Sequence, residues 1–107
     1  MTDKFKITLA QLNPTVGDLS GNADKAYAAW LIAKETGSDL VAFPEMFITG
    51  YNAQDLISKR AFRHAAIDRL KELANLCANG PTVAIGGPWS EGTSVFNAYF
   101  LLQSGKI

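Results

Sequence analysis

The chain of 107 residues has one cysteine, one histidine and no net charge, and each shortage excludes a class of protein. A single thiol cannot form an internal disulfide, which fits a reducing compartment. Ten acidic residues balance ten basic residues, so the basic excess typical of nucleic-acid-binding proteins is missing. No apolar run approaches the roughly 18 residues of a membrane-spanning helix. We therefore expect a cytoplasmic protein with neither a nucleic acid nor a membrane as its partner.

Apolar residues make up 48% of the chain and charged residues 19%. The chain therefore has enough apolar side chains to form a core. The first half predicts a strand near residues 5–10, where apolar and polar positions alternate. Asn22 is a plausible N-cap for a helix over 23–36, and the apolar run at 40–43 is typical of a strand buried on both faces. The order strand, helix, strand indicates a β-α-β unit.

The second half continues this alternation of helices and strands. A short helix is predicted over 54–59 and a longer one over 61–78, where apolar residues recur at helical spacing. A strand over 82–85 is expected to end at Gly86-Gly87-Pro88. A longer strand follows over 94–103, with a hairpin turn at Ser104-Gly105. The pattern predicts an α/β fold in which helices pack on at least one face of a mixed sheet.

Glu45 is the strongest candidate for a chemical role because it follows the predicted strand 40–43. In open α/β sheets, ligands bind beyond the carboxyl ends of the strands. Its neighbours Phe43, Met46, Phe47 and Ile48 predict an apolar setting, which disfavours the charged form of a carboxyl group and suits proton transfer near neutral pH. Position alone leaves a second interpretation open, in which Glu45 is a structural or solvated loop carboxylate.

Four segments resemble the nitrilase, or carbon–nitrogen hydrolase, superfamily. The segment from Leu40 to Glu45, followed by Gly50-Tyr51, resembles its first signature. The opening over 7–18 is similar to its first strand and loop. Gly86-Gly87, Phe96-Asn97-Ala98 and the turn over 104–107 resemble its next strands in order. Asn-Pro-Thr-Val-Gly-Asp over 13–18, with Gln54-Asp55-Leu56, is most similar to the glutaminase domain of glutamine-dependent NAD synthetases.

The resemblance implies a four-layer α-β-β-α sandwich, of which residues 1–107 would be an incomplete N-terminal portion. It also implies a Glu–Lys–Cys triad in which Glu45 is the general base that activates a cysteine thiol. Tyr51 and Phe47 match positions that line the substrate pocket, although Tyr51 is equally compatible with a packed aromatic at the end of a loop. The family's lysine and cysteine lie beyond residue 107.

Three other reactive side chains are expected to be structural or solvated. Cys77 lies on the apolar stripe of the helix 61–78, where a buried thiol behaves as a small hydrophobe. Lys106 follows the turn glycine and should be solvated. His64 lacks partner ligands at metal-binding spacing. For Trp89 the sequence does not decide between the rim of a pocket and the edge of the sheet.

The function implied by the resemblance is hydrolysis of glutamine, or of another small amide, to supply ammonia for NAD synthesis. The ammonia would pass to a synthetase domain in the same chain, and the full-length protein would be a homo-oligomer. ATP and magnesium are expected for that downstream domain, with no cofactor or metal in residues 1–107. Two alternatives stay open, a stand-alone amidase of the same superfamily and a non-catalytic α/β binding or assembly module. Residues 1–107 alone are expected to be inactive.

Overall fold

The computed structural model describes residues 4–107, and within this range it contains a four-stranded sheet and three helices. The elements, in chain order, are β1 (Ile7–Leu9), α1 (Leu19–Glu35), β2 (Leu40–Ala42), α2 (Gln54–Ile57), α3 (Arg60–Leu76), β3 (Thr82–Glu91) and β4 (Ser94–Leu102). The sheet has the order β1-β2-β3-β4; the first three strands are parallel, and β4 runs antiparallel to β3. The predicted α/β class with a mixed sheet is confirmed.

The core lies between α1, α3 and one face of the sheet. Helix α1 buries Trp30, with Ala26 and Ala33 beside it, and the predicted apolar stripe of α3 buries Leu70. The Trp30 indole Nε1 donates to the carbonyl of Pro81 at 2.8 Å, so the one polar atom of this ring is satisfied inside the core. The sheet contributes Val41, Val83, Ile85, Phe100 and Leu102.

Helix α1 begins four residues before the prediction, and Asn22 is not its N-cap. Asp18 takes that position, where its side chain accepts from the backbone N–H of Gly21 at 3.0 Å. Asn22 is fully buried inside the first turn. Its Oδ1 accepts from the N–H of Thr15, and its Nδ2 donates to the carbonyls of Thr15 and Ile48. Asn22 therefore joins the loop before α1 to the loop after β2.

Strand β3 also differs from the prediction, because it does not end at Gly86. It continues through Gly87 and Pro88 to Glu91 and pairs with β4 along its whole length. Its pairing with β2 covers only residues 82–84. Beyond Ala84 the strand has a single strand neighbour, and glycine and proline are tolerated at such an edge. The connection between β3 and β4 is therefore only a two-residue turn at Gly92-Thr93.

The turn at Ser104-Gly105 is confirmed. Both residues have positive φ angles, 53° and 80°, as a type I′ hairpin turn requires. The backbone N–H groups and carbonyls of Gln103 and Lys106 bond reciprocally across it at 2.8 and 3.0 Å. Gln103 and Lys106 thus form an isolated antiparallel bridge across the turn.

The other face of the sheet carries exposed apolar side chains, and we call it the open face. Leu9, Ala42, Ala84 and Leu101 form one row across the four strands. Leu9 and Leu101, at its two ends, are 69% and 58% exposed.

Among residues 4–107, no helix combines the length and the apolar character that crossing a bilayer requires.

Replacing Asn22 tests its bridge between the two loops. In an Asn22→Leu variant, the N–H of Thr15 and the carbonyl of Ile48 lose their partner, and the carbonyl of Thr15 keeps only the N–H of Asp18. We expect the free energy of unfolding to fall by about 3 kcal/mol, since each unsatisfied buried group costs about 1–3 kcal/mol. Urea unfolding measures this loss. The control Asn79→Leu, at an exposed position, should change stability by less than about 0.5 kcal/mol; equal losses in both variants would contradict the assignment.

The open face predicts self-association when residues 1–107 are produced alone, because contiguous exposed apolar surface drives contact between copies. Sedimentation velocity should show species larger than a monomer. Leu101→Lys should shift the distribution toward monomer. Leu76→Lys is a matched control, since Leu76 is 56% exposed but lies at the end of α3, on the helical side. A wild-type monomer at high concentration would contradict the prediction.

Candidate active site

Glu45 lies in the loop that leaves the carboxyl end of β2, as predicted, but its side chain is exposed. The expected apolar setting is therefore wrong for this part of the chain. Phe43, Phe47 and Ile48 are almost fully buried and belong to the core, on the other side of the loop backbone. Met46 has a φ of 52°, and this left-handed turn separates the exposed carboxylate from the buried residues that follow.

The backbone of this loop lies directly against Gly86 of β3. A Cβ atom at Gly86 would come within 2.2 Å of the Met46 nitrogen and 2.8 Å of the Glu45 Cα. Only glycine allows so close an approach. Two hydrogen bonds extend the sheet pattern into the loop, from the N–H of Phe43 to the carbonyl of Ala84 at 2.8 Å and from the N–H of Ile48 to the carbonyl of Gly86 at 3.2 Å.

Two side chains of β4 reach the same loop. The Asn97 Nδ2 donates to Oε1 of Glu45 at 2.7 Å. The Tyr99 hydroxyl donates to the carbonyl of Phe43 at 2.6 Å. Burial raises the pKa of the Tyr99 hydroxyl, which therefore stays protonated and able to donate at neutral pH. Asn97 and Tyr99 are two residues apart and project from the same side of β4.

Three adjoining clefts surround Glu45, which lines all of them. One of about 440 Å³ lies between the loop over 11–14 and Pro44, Glu45 and Tyr51. Asn97 borders the other two clefts, and Tyr99 borders one of them. The space beside the carboxylate is large enough for a small ligand.

The two residues predicted to contact substrate have different positions. Tyr51 is 64% exposed and lines two of the clefts beside Glu45. Phe47 is fully buried, with its ring centroid 5.2 Å from that of Phe43. Phe47 lines none of the three clefts and supports the Glu45 loop from within the core, so a contact between Phe47 and substrate stays a prediction.

The loop before α1 forms the far wall of one cleft and is held against the Glu45 loop. The N–H of Gly17 donates to the carbonyl of Thr49 at 2.8 Å. Gly50, with a φ of 82°, lies so close to Val16 that a Cβ there would come within 2.6 Å of the Val16 Cα. Together with Asn22, these contacts fix the distance between the two walls.

The thiol of Cys77 and the amine of Lys106 do not belong to this site. Cys77 is 2% exposed at the carboxyl end of α3, and burial raises its thiol pKa to about 12. Such a thiol stays protonated and unreactive at neutral pH. Lys106 is exposed beside the hairpin turn. The structure thus agrees with a structural Cys77 and a solvated Lys106, and neither lines a cleft around Glu45.

A separate groove of about 360 Å³ lies between α3 and the far end of β3. Arg63 spans it, donating from Nε to Ser90 Oγ at 2.6 Å and from Nη1 to the carbonyl of Ile57 at 2.7 Å. His64 is exposed there, as expected. Trp89 is 44% exposed and packs edge-on against Phe100, so it both borders this groove and covers the sheet.

Sequence reasoning missed the contacts of Asn97 and Tyr99. Phe96-Asn97-Ala98 contributed only to the family resemblance, and the predicted end of β3 at Gly86 concealed the register. The tight turn at Gly92 was the available signal. Counting outward from it pairs Gly86 with Tyr99 and Pro88 with Asn97, which brings both β4 side chains near the Glu45 loop.

Comparison with known proteins gives one family. The carbon-nitrogen hydrolase family model matches residues 6–107. The chain is 51% identical to a glutamine-dependent NAD(+) synthetase from Rhodobacter capsulatus over 107 residues, which are all of this chain and 19% of that protein. The crystal structure of a glutamine-dependent NAD(+) synthetase from Cytophaga hutchinsonii superposes with a TM-score of 0.89 at 28% identity, covering 95% of this chain and 17% of that one.

An amidase from Nesterenkonia sp. shares the fold, with a TM-score of 0.75 at 23% identity over 95% of this chain and 40% of the amidase. The chain thus spans about a fifth of the curated NAD(+) synthetase that it matches. The match of the family model over nearly all of the sequence, together with a carboxylate held at the end of β2, leads to one assignment. The chain belongs to the carbon-nitrogen hydrolase family.

Proposed function

We propose that residues 1–107 form the front of a glutaminase domain that supplies ammonia for glutamine-dependent NAD synthesis, with Glu45 as its general base. The observation that carries the proposal is the Glu45 carboxylate, held by Asn97 at the meeting point of three clefts. The 51% identity to a glutamine-dependent NAD(+) synthetase supports the choice of glutamine as the amide.

In the proposed chemistry, the Glu45 carboxylate takes the proton of a cysteine thiol that a later part of the polypeptide supplies. The thiolate attacks the amide carbonyl of glutamine, and a lysine from that same later part stabilises the oxyanion. Glu45 passes that proton to the amide nitrogen, the carbon–nitrogen bond breaks, and the nitrogen leaves as ammonia. Water then hydrolyses the thioester, releasing glutamate and restoring the thiol. Tyr51 is proposed to line the site that holds the amide substrate.

We assign neither ATP nor magnesium to this part of the chain. Within residues 4–107, no group of three or more His, Cys, Asp or Glu side chains has an arrangement that could hold a metal ion. Both would act in a synthetase domain of the same polypeptide. The cytoplasm is the proposed location, in keeping with a single, buried and reduced thiol.

Glu45→Gln tests the proposed base in the native polypeptide that contains these residues. The amide keeps the shape of the side chain but cannot accept the thiol proton. Ammonia release from glutamine should fall at least about 100-fold, the usual contribution of a general base. Ammonia and glutamate are measured together, with and without ATP and the deamidated dinucleotide.

Glu91→Gln is the matched control, because Glu91 is an exposed carboxylate at the far end of β3. Its activity should equal that of the unmodified protein. A Glu45→Gln protein that still releases ammonia at the normal rate would refute the role of Glu45. Ammonia release without any ATP-dependent amidation in the unmodified protein would instead favour a stand-alone amidase.

Cys77 gives a second test, because its buried thiol should take no part in the chemistry. Cys77→Ala should keep glutaminase activity within about 2-fold, and thiol reagents should label Cys77 only after unfolding. The same burial makes stability fall as the pH rises from 9.0 toward 12, since the unfolded chain releases the thiol proton more easily. Thiol counting in folded and denatured protein, with and without the substitution, checks the burial of Cys77. Labelling of Cys77 in the folded protein would contradict that burial.

A further inference from the structure

We propose that Asn97 is a positioning residue for Glu45: from β4 it holds one carboxylate oxygen and thereby aims the other at the substrate cleft. Tyr99 assists it by fixing the backbone on which Glu45 stands. This inference rests on the proposed function, because it assigns a partner to the proposed base. It concerns the orientation of the base rather than a further proton-transfer step.

The hydrogen bond itself is the first argument. Asn97 Nδ2 lies 2.7 Å from Glu45 Oε1, a short distance for an amide donor and typical of a bond to a charged acceptor. An amide N–H donates without titrating near neutral pH, so the contact persists over the whole range in which a base would work. One oxygen is thereby occupied, and the carboxylate plane can no longer rotate freely.

The second argument is the convergence of three residues, from the two strands β3 and β4, on one short segment. Gly86 of β3 touches the Glu45–Met46 peptide from one side. Asn97 holds the Glu45 side chain, and the Tyr99 hydroxyl holds the Phe43 carbonyl two residues earlier. The backbone before Glu45, the peptide after it and its side chain are all restrained. Together these restraints define the direction of the carboxylate.

A purely structural explanation accounts poorly for this arrangement. Asn97 and Glu45 are both exposed, and a hydrogen bond between exposed side chains adds little to stability because water competes for both groups. Orientation has a larger effect on catalysis, since a misplacement of about 1 Å can lower a rate about 100-fold. The proposed role of Asn97 is therefore to set kcat, with only a small contribution to folding.

The test compares Asn97→Ala and Asn97→Asp in the native polypeptide that contains these residues. Asn97→Ala should lower kcat about 10- to 100-fold and leave KM for glutamine nearly unchanged, as expected for loss of a hydrogen bond to a charged group. Asn97→Asp places a second carboxylate beside the first. The acidic limb of the rate profile should then move upward by about one pH unit.

Few other groups can produce that shift. Among the described residues that line the three clefts, Tyr51 and Tyr99 are the titratable side chains besides Glu45. The substitution changes neither tyrosine. Asn79→Asp is the control, because it makes the same chemical change at an exposed site in the loop before β3. Its kcat, KM and pH profile should match the unmodified protein.

The outcomes separate this inference from the proposed function. If Glu45→Gln is inactive while folded Asn97→Ala and Asn97→Asp keep both kcat and the pH profile, the positioning role is wrong and the base assignment stands. If Glu45→Gln is fully active, the proposed function fails first. Should the Asn97 variants not fold, Tyr99→Phe tests the same contact set: kcat should fall about 3- to 10-fold, and an unchanged kcat would overturn the proposal.

Discussion

The site depends on the contact between the Glu45–Met46 peptide and the α-carbon of Gly86. A gap of 2.2 Å from a hypothetical Cβ to the Met46 nitrogen leaves no room for any side chain at Gly86. This approach sets how close the loop lies to the sheet. It brings the N–H of Ile48 to the carbonyl of Gly86, and it places the carboxylate within reach of Asn97 on the neighbouring strand. A larger residue at Gly86 would displace both contacts together.

The same contact explains the unusual course of β3. Its ladder with β2 stops at Ala84, and the Glu45 loop then takes over as the neighbour of Gly86. The strand itself continues as one arm of the hairpin with β4. A sheet with helices on one face is thus combined with a site on the other. Asn97, Tyr99 and Leu101 are spaced two residues apart and project from the same side of β4. Because Asn97 contacts Glu45 and Leu101 lies on the open face, Glu45 borders the open face.

Local signals predicted the parts of the fold that depend on local physics. The helical stripe around Leu70 follows from periodicity, and the place of Glu45 in the loop after β2 follows from the predicted end of that strand. The misses depend on distant contacts. Asn22 resembles a cap in sequence, but it is buried because two loops converge on it. Gly86-Gly87-Pro88 resembles a strand end, yet only the loop across it shows why glycine is needed there. The place of Phe47 in the core likewise depends on distant contacts, which its match to a pocket position does not reveal.

The exposed Glu45 carboxylate and the buried Cys77 thiol bear on how the proposed chemistry would be assembled. Cys77 is enclosed and protonated, so on the proposed function the nucleophile comes from another part of the polypeptide. The Glu45 side chain is exposed, so solvent weakens the electrostatic interactions between its carboxylate and neighbouring groups. A layer packed over Leu9 and Leu101 would bury the open face and also exclude water from Glu45. On the proposed function, completion of the core and activation of the base are therefore the same event.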